Sequence, residues 1–133
     1  MGRRPFGIEV MSVFRVRVRF SSPDGAKSVE TEAVVDTGST LSKIPRSVAD
    51  ELGLVPYGTR RFRLGDEREI ERPVAVAEVS CEGSEAPVTV AIAEEIERPI
   101  LGATALEVLG FSVDPVNEIL VPTALYEFAT LSA

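Results

Sequence analysis

The sequence contains no histidine, and only one cysteine, Cys81, in 133 residues. The missing histidine excludes the most. A Ser–His–Asp or Cys–His relay within the chain is impossible, because the base that would activate the nucleophile is missing. Histidine-ligated zinc is excluded as well, and a lone cysteine does not replace it. Acid–base chemistry near neutral pH is left to carboxylates, lysine, tyrosine or the thiol. With 21 Asp and Glu, carboxylates are the plentiful supply. Cys81 has no partner for an internal disulfide, so the fold does not depend on an oxidising compartment. Long apolar runs are also missing: none approaches the ~20 residues of a membrane helix, and the first residues lack the pattern of a signal peptide. The expectations are a cytoplasmic protein with no membrane partner.

A positive balance is lacking too. The net charge of −7 argues against nucleic acid as a partner, because phosphate binding runs on excess Lys and Arg. Local basic clusters do occur at Arg15, Arg17, Arg19 and at Arg60, Arg61, Arg63. They read as the solvent faces of strands, with a binding stripe for an acidic ligand as the alternative. An apolar share of 44% beside 26% charged residues fits one folded domain over 1–133, with its core in about 13–121.

Strand patterns dominate. Phe14, Val16, Val18 and Phe20 alternate with Arg15, Arg17 and Arg19, the period of a half-buried strand. Pro23-Asp24-Gly25 predicts a turn and Ser28 to Val35 a returning strand. After Pro45, the stripe Val48, Ala49, Leu52 predicts a short helix stopped by Gly53. Leu64-Gly65-Asp66 marks a central hairpin tip. Pro73–Val79 and Val88–Ala93 read as a strand pair joined by a turn at Glu82-Gly83-Ser84-Glu85. Thr104 to Leu109 reads as a second helix stopped by Gly110. Phe111–Val113 and Ile119–Val121 are further strands around the turn Asp114-Pro115. The fold class is mostly β with two short helices.

One segment places an acid where it needs explaining. Ala33-Val34-Val35 is a continuous apolar approach, and it delivers the chain to Asp36 in the interior, followed by Thr37, Gly38, Ser39 and Thr40. A buried carboxylate is costly without compensation. Asp36 either caps a turn by accepting backbone N–H bonds, or is held outward at a strand end by a tight loop whose glycine lets a ligand backbone approach. A lone Asp-Thr-Gly favours the turn. About sixty residues later, Arg98-Pro99-Ile100-Leu101-Gly102 places two bulky apolar residues and a glycine directly before a helix.

The order apolar-Asp-Thr-Gly, helix, hairpin, strand pair, apolar-apolar-Gly, helix resembles the retropepsin-like aspartic peptidases over roughly Phe14 to Val121. The resemblance implies a small closed β-barrel of the acid-protease fold that forms a homodimer. It implies an endopeptidase acting on peptide or unfolded protein, without cofactor or metal. By position, Asp36 resembles the catalytic aspartate. Thr37 resembles the residue whose hydroxyl ties the two active-site loops across the dimer axis, and Gly38 the glycine that contacts substrate backbone. Ser39, Ile100, Leu101 and Gly102 match the elements that support the catalytic loop. Leu64, Gly65 and Asp66 stand where the substrate-covering flap is expected.

One Asp-Thr-Gly per chain implies a dyad assembled from two copies. Thr40 stands where viral enzymes often carry an acid and Ala103 where they often carry an arginine, so an ion-pair clamp of that kind lacks both partners. The tails, Met1 to Ser12 and Pro122 to Ala133, are the candidates for an intersubunit sheet. The other reading is a non-catalytic peptide-binding or dimerisation module that retains the fold. Asp24, Asp66 and Asp114 read as turn residues, and Glu94, Glu95 and Glu97 as a solvated acidic edge.

Overall fold

Strand β1 (Val13–Ser21) buries Phe14, Val18 and Phe20 and leaves Arg15, Arg17 and Arg19 in solvent, as its alternation requires. It pairs antiparallel with β2 (Ser28–Asp36) in a register that sets Phe14 opposite Val35 and Phe20 opposite Val29. Arg17 and Arg19 lie across from Glu32 and Glu30 of β2, and Arg15 across from Val34. Arg15 pairs with Glu32, and Arg17 and Arg19 both pair with Glu30, all at 3.5–3.7 Å. This basic cluster is thus the outer face of a hairpin. The computed structural model describes residues 13–125 and residue 127, so the first tail and most of the second lie outside the described residues.

Strand β3 (Ser42–Pro45) leads into helix α1 (Arg46–Leu52). Pro45 precedes the helix, and Gly53 closes it with φ 66°. The sequence did not signal β3. It is four residues long, and its buried Ser42 reads as a loop residue.

Strand β4 (Gly58–Arg63) and strand β5 (Glu69–Cys81) form the central hairpin. Strand β6 (Ser84–Ala93) returns along the far half of β5. The flap return and the following strand, read separately from the sequence, are one 13-residue strand that runs straight through Pro73. Proline is tolerated there because pairing with β6 begins only at Val74, so Pro73 has a strand partner on one side alone. The turn expected at Glu82–Glu85 narrows to Glu82 and Gly83.

Strand β7 (Ile100–Leu101) is two residues long and precedes helix α2 (Ala103–Leu109), closed by Gly110 at φ 82°. Strands β8 (Phe111–Asp114) and β9 (Ile119–Pro122) form a separate hairpin.

The strand order is β1-β2-β7-β3-β6-β5-β4, and β5 also pairs with β1 through Phe20 and Val79. Inside lie Phe20, Ile44, Leu52, Val79, Val90 and Leu101, each almost free of solvent contact. Long strand β5 changes its surroundings midway. Arg72 and Val74 are buried on one face, then Ala75, Ala77 and Val79 on the other. The register with β6 runs unbroken from Val74 to Cys81, so the pleat continues and its neighbours change. The first half of β5 faces a cleft and the second half faces the core.

Tiny β7 matters because it is inserted between β2 and β3, parallel to β2 and antiparallel to β3. Leu101→Ala removes a side chain with 0% exposure, for an expected loss of about 2–5 kcal/mol in chemical denaturation. Val121→Ala, at a partly exposed position of β9, should cost about 0.5 kcal/mol or less. Equal losses at the two positions would contradict the placement of β7 in the core.

Candidate active site

The loop from Asp36 to Leu41 joins the end of β2 to β3. Asp36 is half-buried at the rim rather than in the interior, and Thr37 and Gly38 are exposed. The expected burial fails because β2 ends at Asp36 and the chain turns out of the core there. The carboxylate is nevertheless held. Its Oδ1 accepts the Gly38 N–H at 2.9 Å and its Oδ2 accepts the Ser39 hydroxyl at 3.4 Å. The Ser39 N–H returns to the Asp36 carbonyl at 3.1 Å. Both readings of the segment therefore hold together: Asp36 caps its own turn, and that turn presents it at the surface.

A second segment braces the loop. The Val34 N–H donates to the Pro99 carbonyl at 2.9 Å, and Val34 and Val35 pair with Ile100 and Leu101. At the β7–α2 junction the Gly102 N–H donates to the hydroxyl of buried Ser42 at 3.0 Å. The Ala103 N–H donates to the Ser39 carbonyl at 2.7 Å and the Thr104 N–H to the Thr40 carbonyl at 3.0 Å. The first amides of a helix lack partners within it, and here the loop supplies them. No side chain fits at residue 102, since a Cβ would lie 2.7 Å from the carbonyl oxygens of both Leu41 and Ser39. Ser39 lies in the loop itself, and Ile100, Leu101 and Gly102 lie against it and the end of β2. Ser42 belongs with them, but nothing in its surroundings in the sequence marked it.

Opposite this loop stands the β4–β5 hairpin. Between them lies a cleft of about 360 Å³ lined by Gly38, Ser39, Lys43, Phe62, Leu64 and Arg72, among others. Of the three flap-tip residues, only Leu64 lines the cleft. Asp66 turns its carboxylate back into the hairpin, accepting the Arg68 N–H at 3.1 Å and the Arg68 guanidinium at 2.6 Å. The Arg68 guanidinium and amide hold its carboxyl below the usual aspartate range. Glu67, not Gly65, takes the positive φ of the turn, at 73°.

The acids at the end of β6 have separate partners rather than a shared edge. Glu94 pairs with Arg46 at 2.9 Å, and Glu95 forms a two-pronged pair with Arg72 at 3.1 and 2.5 Å. Arg72 is 5% exposed and forms part of the cleft wall. Its hydrogen bonds hold the Glu95 carboxyl down to about 2. Burial pushes the Cys81 thiol up to about 11, with Glu82 adding to it, so that thiol stays protonated at neutral pH.

A carboxylate is thus displayed at a strand end, on a loop braced from beneath whose following residues line an open cleft under a β-hairpin. A family model described as aspartyl protease matches residues 16–113, and the chain belongs to that family. No curated protein matches the chain. Among solved structures, the foamy viral protease–reverse transcriptase in complex with an RNA/DNA hybrid aligns at a TM-score of 0.54 and 14% identity. The match covers 86% of this chain and 13% of that one, so the chain spans a small part of that relative. The simian foamy virus (mac) protease aligns at a TM-score of 0.51 and 13% identity, over 70% of this chain and 91% of that one. A retropepsin-like aspartic protease from Rickettsia conorii aligns at 0.46 and 17%, over 80% and 89%. The fold is retropepsin-like.

Two outcomes follow from the bracing and from the ion pair. Gly102→Ala should cost about 1–3 kcal/mol in thermal or chemical unfolding, because backbone oxygens must move to admit the methyl group. Full stability in that variant would show that the junction is loose. For Glu95 the folded-state pKa is depressed, so its contribution is complete above about pH 4.5 and is lost as pH falls towards 2. The parent should exceed Glu95→Gln by about 1 kcal/mol at neutral pH, a modest figure because the glutamate side chain stays 59% exposed. Unfolding curves should show that gap shrinking between pH 4.5 and 2. A gap that does not vary with pH would count against the pair.

Proposed function

We propose that the chain is an aspartic endopeptidase that acts as a homodimer, each copy contributing Asp36 to a shared dyad. The observation that carries this reading is the held carboxylate of Asp36, at the end of a core strand and on the loop whose next residues, Gly38 to Leu41, line the cleft beneath the β4–β5 hairpin. Membership of the aspartyl protease family supports the hydrolytic activity. The pairing of β1 with β5, which links the two halves of the strand order, supports a closed barrel.

In the dimer, two carboxyl groups about 3 Å apart share one proton, because both cannot ionise at that separation. The ionised carboxylate takes a proton from a water molecule, whose oxygen attacks the peptide carbonyl carbon. The protonated carboxyl donates to the carbonyl oxygen, giving a tetrahedral gem-diol. The C–N bond then breaks as the nitrogen is protonated, leaving a free acid and a free amine. No metal, cofactor or covalent enzyme intermediate takes part. Each carboxylate enters the dyad already held in orientation by the Gly38 N–H.

Thr37 is free at the loop apex to tie the two loops together across the axis, and Gly38 presents backbone to substrate without a Cβ in the way. Leu64 meets substrate from the flap side, with Gly65 and Asp66 shaping the tip. The substrate is an extended peptide or an unfolded protein, and the setting is cytoplasmic.

The test is digestion of a reduced, unfolded protein from acidic to neutral pH by the parent and by Asp36→Asn, which keeps the side chain's size. The parent should cleave with a bell-shaped pH profile belonging to the pair, and the variant should lose at least about 10³-fold. Binding of the unfolded chain by both proteins, with cleavage by neither, would favour a peptide-binding module instead.

A further inference from the structure

We infer that the cleft selects peptide segments carrying Asp or Glu, through Lys43 and Arg60. The inference rests on the peptidase reading for its catalytic consequence, but the charge arrangement stands by itself. In β4, Arg60 and Phe62 lie on one face, and Arg61 and Arg63 on the other. Across the hairpin, Arg60 opposes Arg72, while Arg61 opposes Glu71 and Arg63 opposes Glu69. The outer face is therefore self-neutralised: Glu69 pairs with Arg61 at 3.6 Å and with Arg63 at 3.2 Å.

The inner face is different. Lys43, Ala91 and Val74 form one cross-strand row, so Lys43 shares a face with Val74 and, two residues along the same strand, with Arg72. Lys43, Arg60, Arg61, Arg63 and Arg72 all line the cleft, and the lining includes no carboxylate. Arg72 has an acidic partner in Glu95, and Arg61 and Arg63 share Glu69. Lys43 helps to hold the Glu95 carboxyl down without pairing with it. Among the described residues neither Lys43 nor Arg60 makes an ion pair.

Two cations set directly opposite each other on a strand pair repel. Here Arg60 and Arg72 do so at the mouth of a cleft, in a chain whose net charge is −7. A bound carboxylate would relieve that repulsion. The main chain of a peptide carries no charge to meet these groups, so they address its side chains. The sequence had marked Arg60, Arg61 and Arg63 together as a solvent face. All three line the cleft, but Arg61 and Arg63 are paired with Glu69, so of the three only Arg60 brings an unpaired charge to it.

The experiment has two arms. In the first, a library of unstructured peptides is digested by the parent at low salt, the cut sites are mapped, and one cut peptide is remade with Gln in place of each Glu and Asp. The acidic form should be cut with roughly tenfold higher kcat/KM, an advantage that shrinks at high salt. The ratio should fall towards one in the Lys43→Gln/Arg60→Gln double variant. It should persist in Arg15→Gln, which removes a cation from the outer face of β1. In the second arm, fluorescent copies of two fixed peptides, one rich in Glu and its Gln counterpart, are bound to Asp36→Asn protein and followed by anisotropy, with the same charge variants added to that background. Tighter binding of the Glu peptide, lost with Lys43 and Arg60, is expected even without turnover. Cleavage with no acidic preference, or a preference that survives the double variant, overturns the inference and leaves the peptidase reading intact. Acid-selective binding by a parent that never cleaves does the reverse.

Discussion

The site depends on the contact between two backbones at Gly102. The loop that carries Asp36 has few residues, three of them exposed, and no core of its own. It is held because the β7–α2 junction supplies N–H donors at Gly102, Ala103 and Thr104 to Ser42, Ser39 and Thr40. That approach leaves no space for even a methyl group. It also explains a two-residue strand: β7 needs to be only long enough to pair Ile100 and Leu101 with Val34 and Val35 and so bring the junction under the loop. Packing, through Leu101, and hydrogen bonding, through the amides that follow, act on the same six-residue stretch.

The hydrogen bond that holds Asp36 is not peculiar to it. Asp24, Asp66 and Asp114 each accept a backbone N–H from two residues ahead, as Asp36 does from Gly38. The local motif is a common turn. The other three stay within their turns: Asp24 takes the Ser22 hydroxyl, Asp66 is clasped by Arg68, and Asp114 by the Asn117 amide. Asp36 alone stands on a loop braced from a distant part of the chain and beside a cleft. Tertiary context, rather than the turn itself, is what sets Asp36 apart from them, and the turn hydrogen bond holds its carboxylate in place.

What could be read from the sequence was what periodicity and turn chemistry encode. The alternation in β1 and the glycine stops of α1 and α2 correspond to observed elements, whereas the link between Asp-Thr-Gly and Ile-Leu-Gly came from the family resemblance. Three features escaped, each for a physical reason. β3 is too short for a period, and its one buried polar residue, Ser42, is buried to accept a hydrogen bond formed 60 residues away. Pro73 looked like a strand start because its tolerance depends on where β6 begins to pair. That Arg60 lacks the acidic partner which Arg61 and Arg63 share required knowing the register of the hairpin, which sets Arg60 opposite Arg72, and a run of arginines does not reveal that.

The central claim is that one carboxylate from each of two copies makes one hydrolytic centre. Its most direct test is to mix parent and Asp36→Asn chains at fixed total concentration, allow subunits to exchange, and measure peptide cleavage against the fraction of parent. If the dyad is shared, mixed pairs are inactive and activity falls with the square of that fraction, to about one quarter in an equal mixture. A linear fall, leaving about one half, would mean that each chain hydrolyses alone and would contradict it.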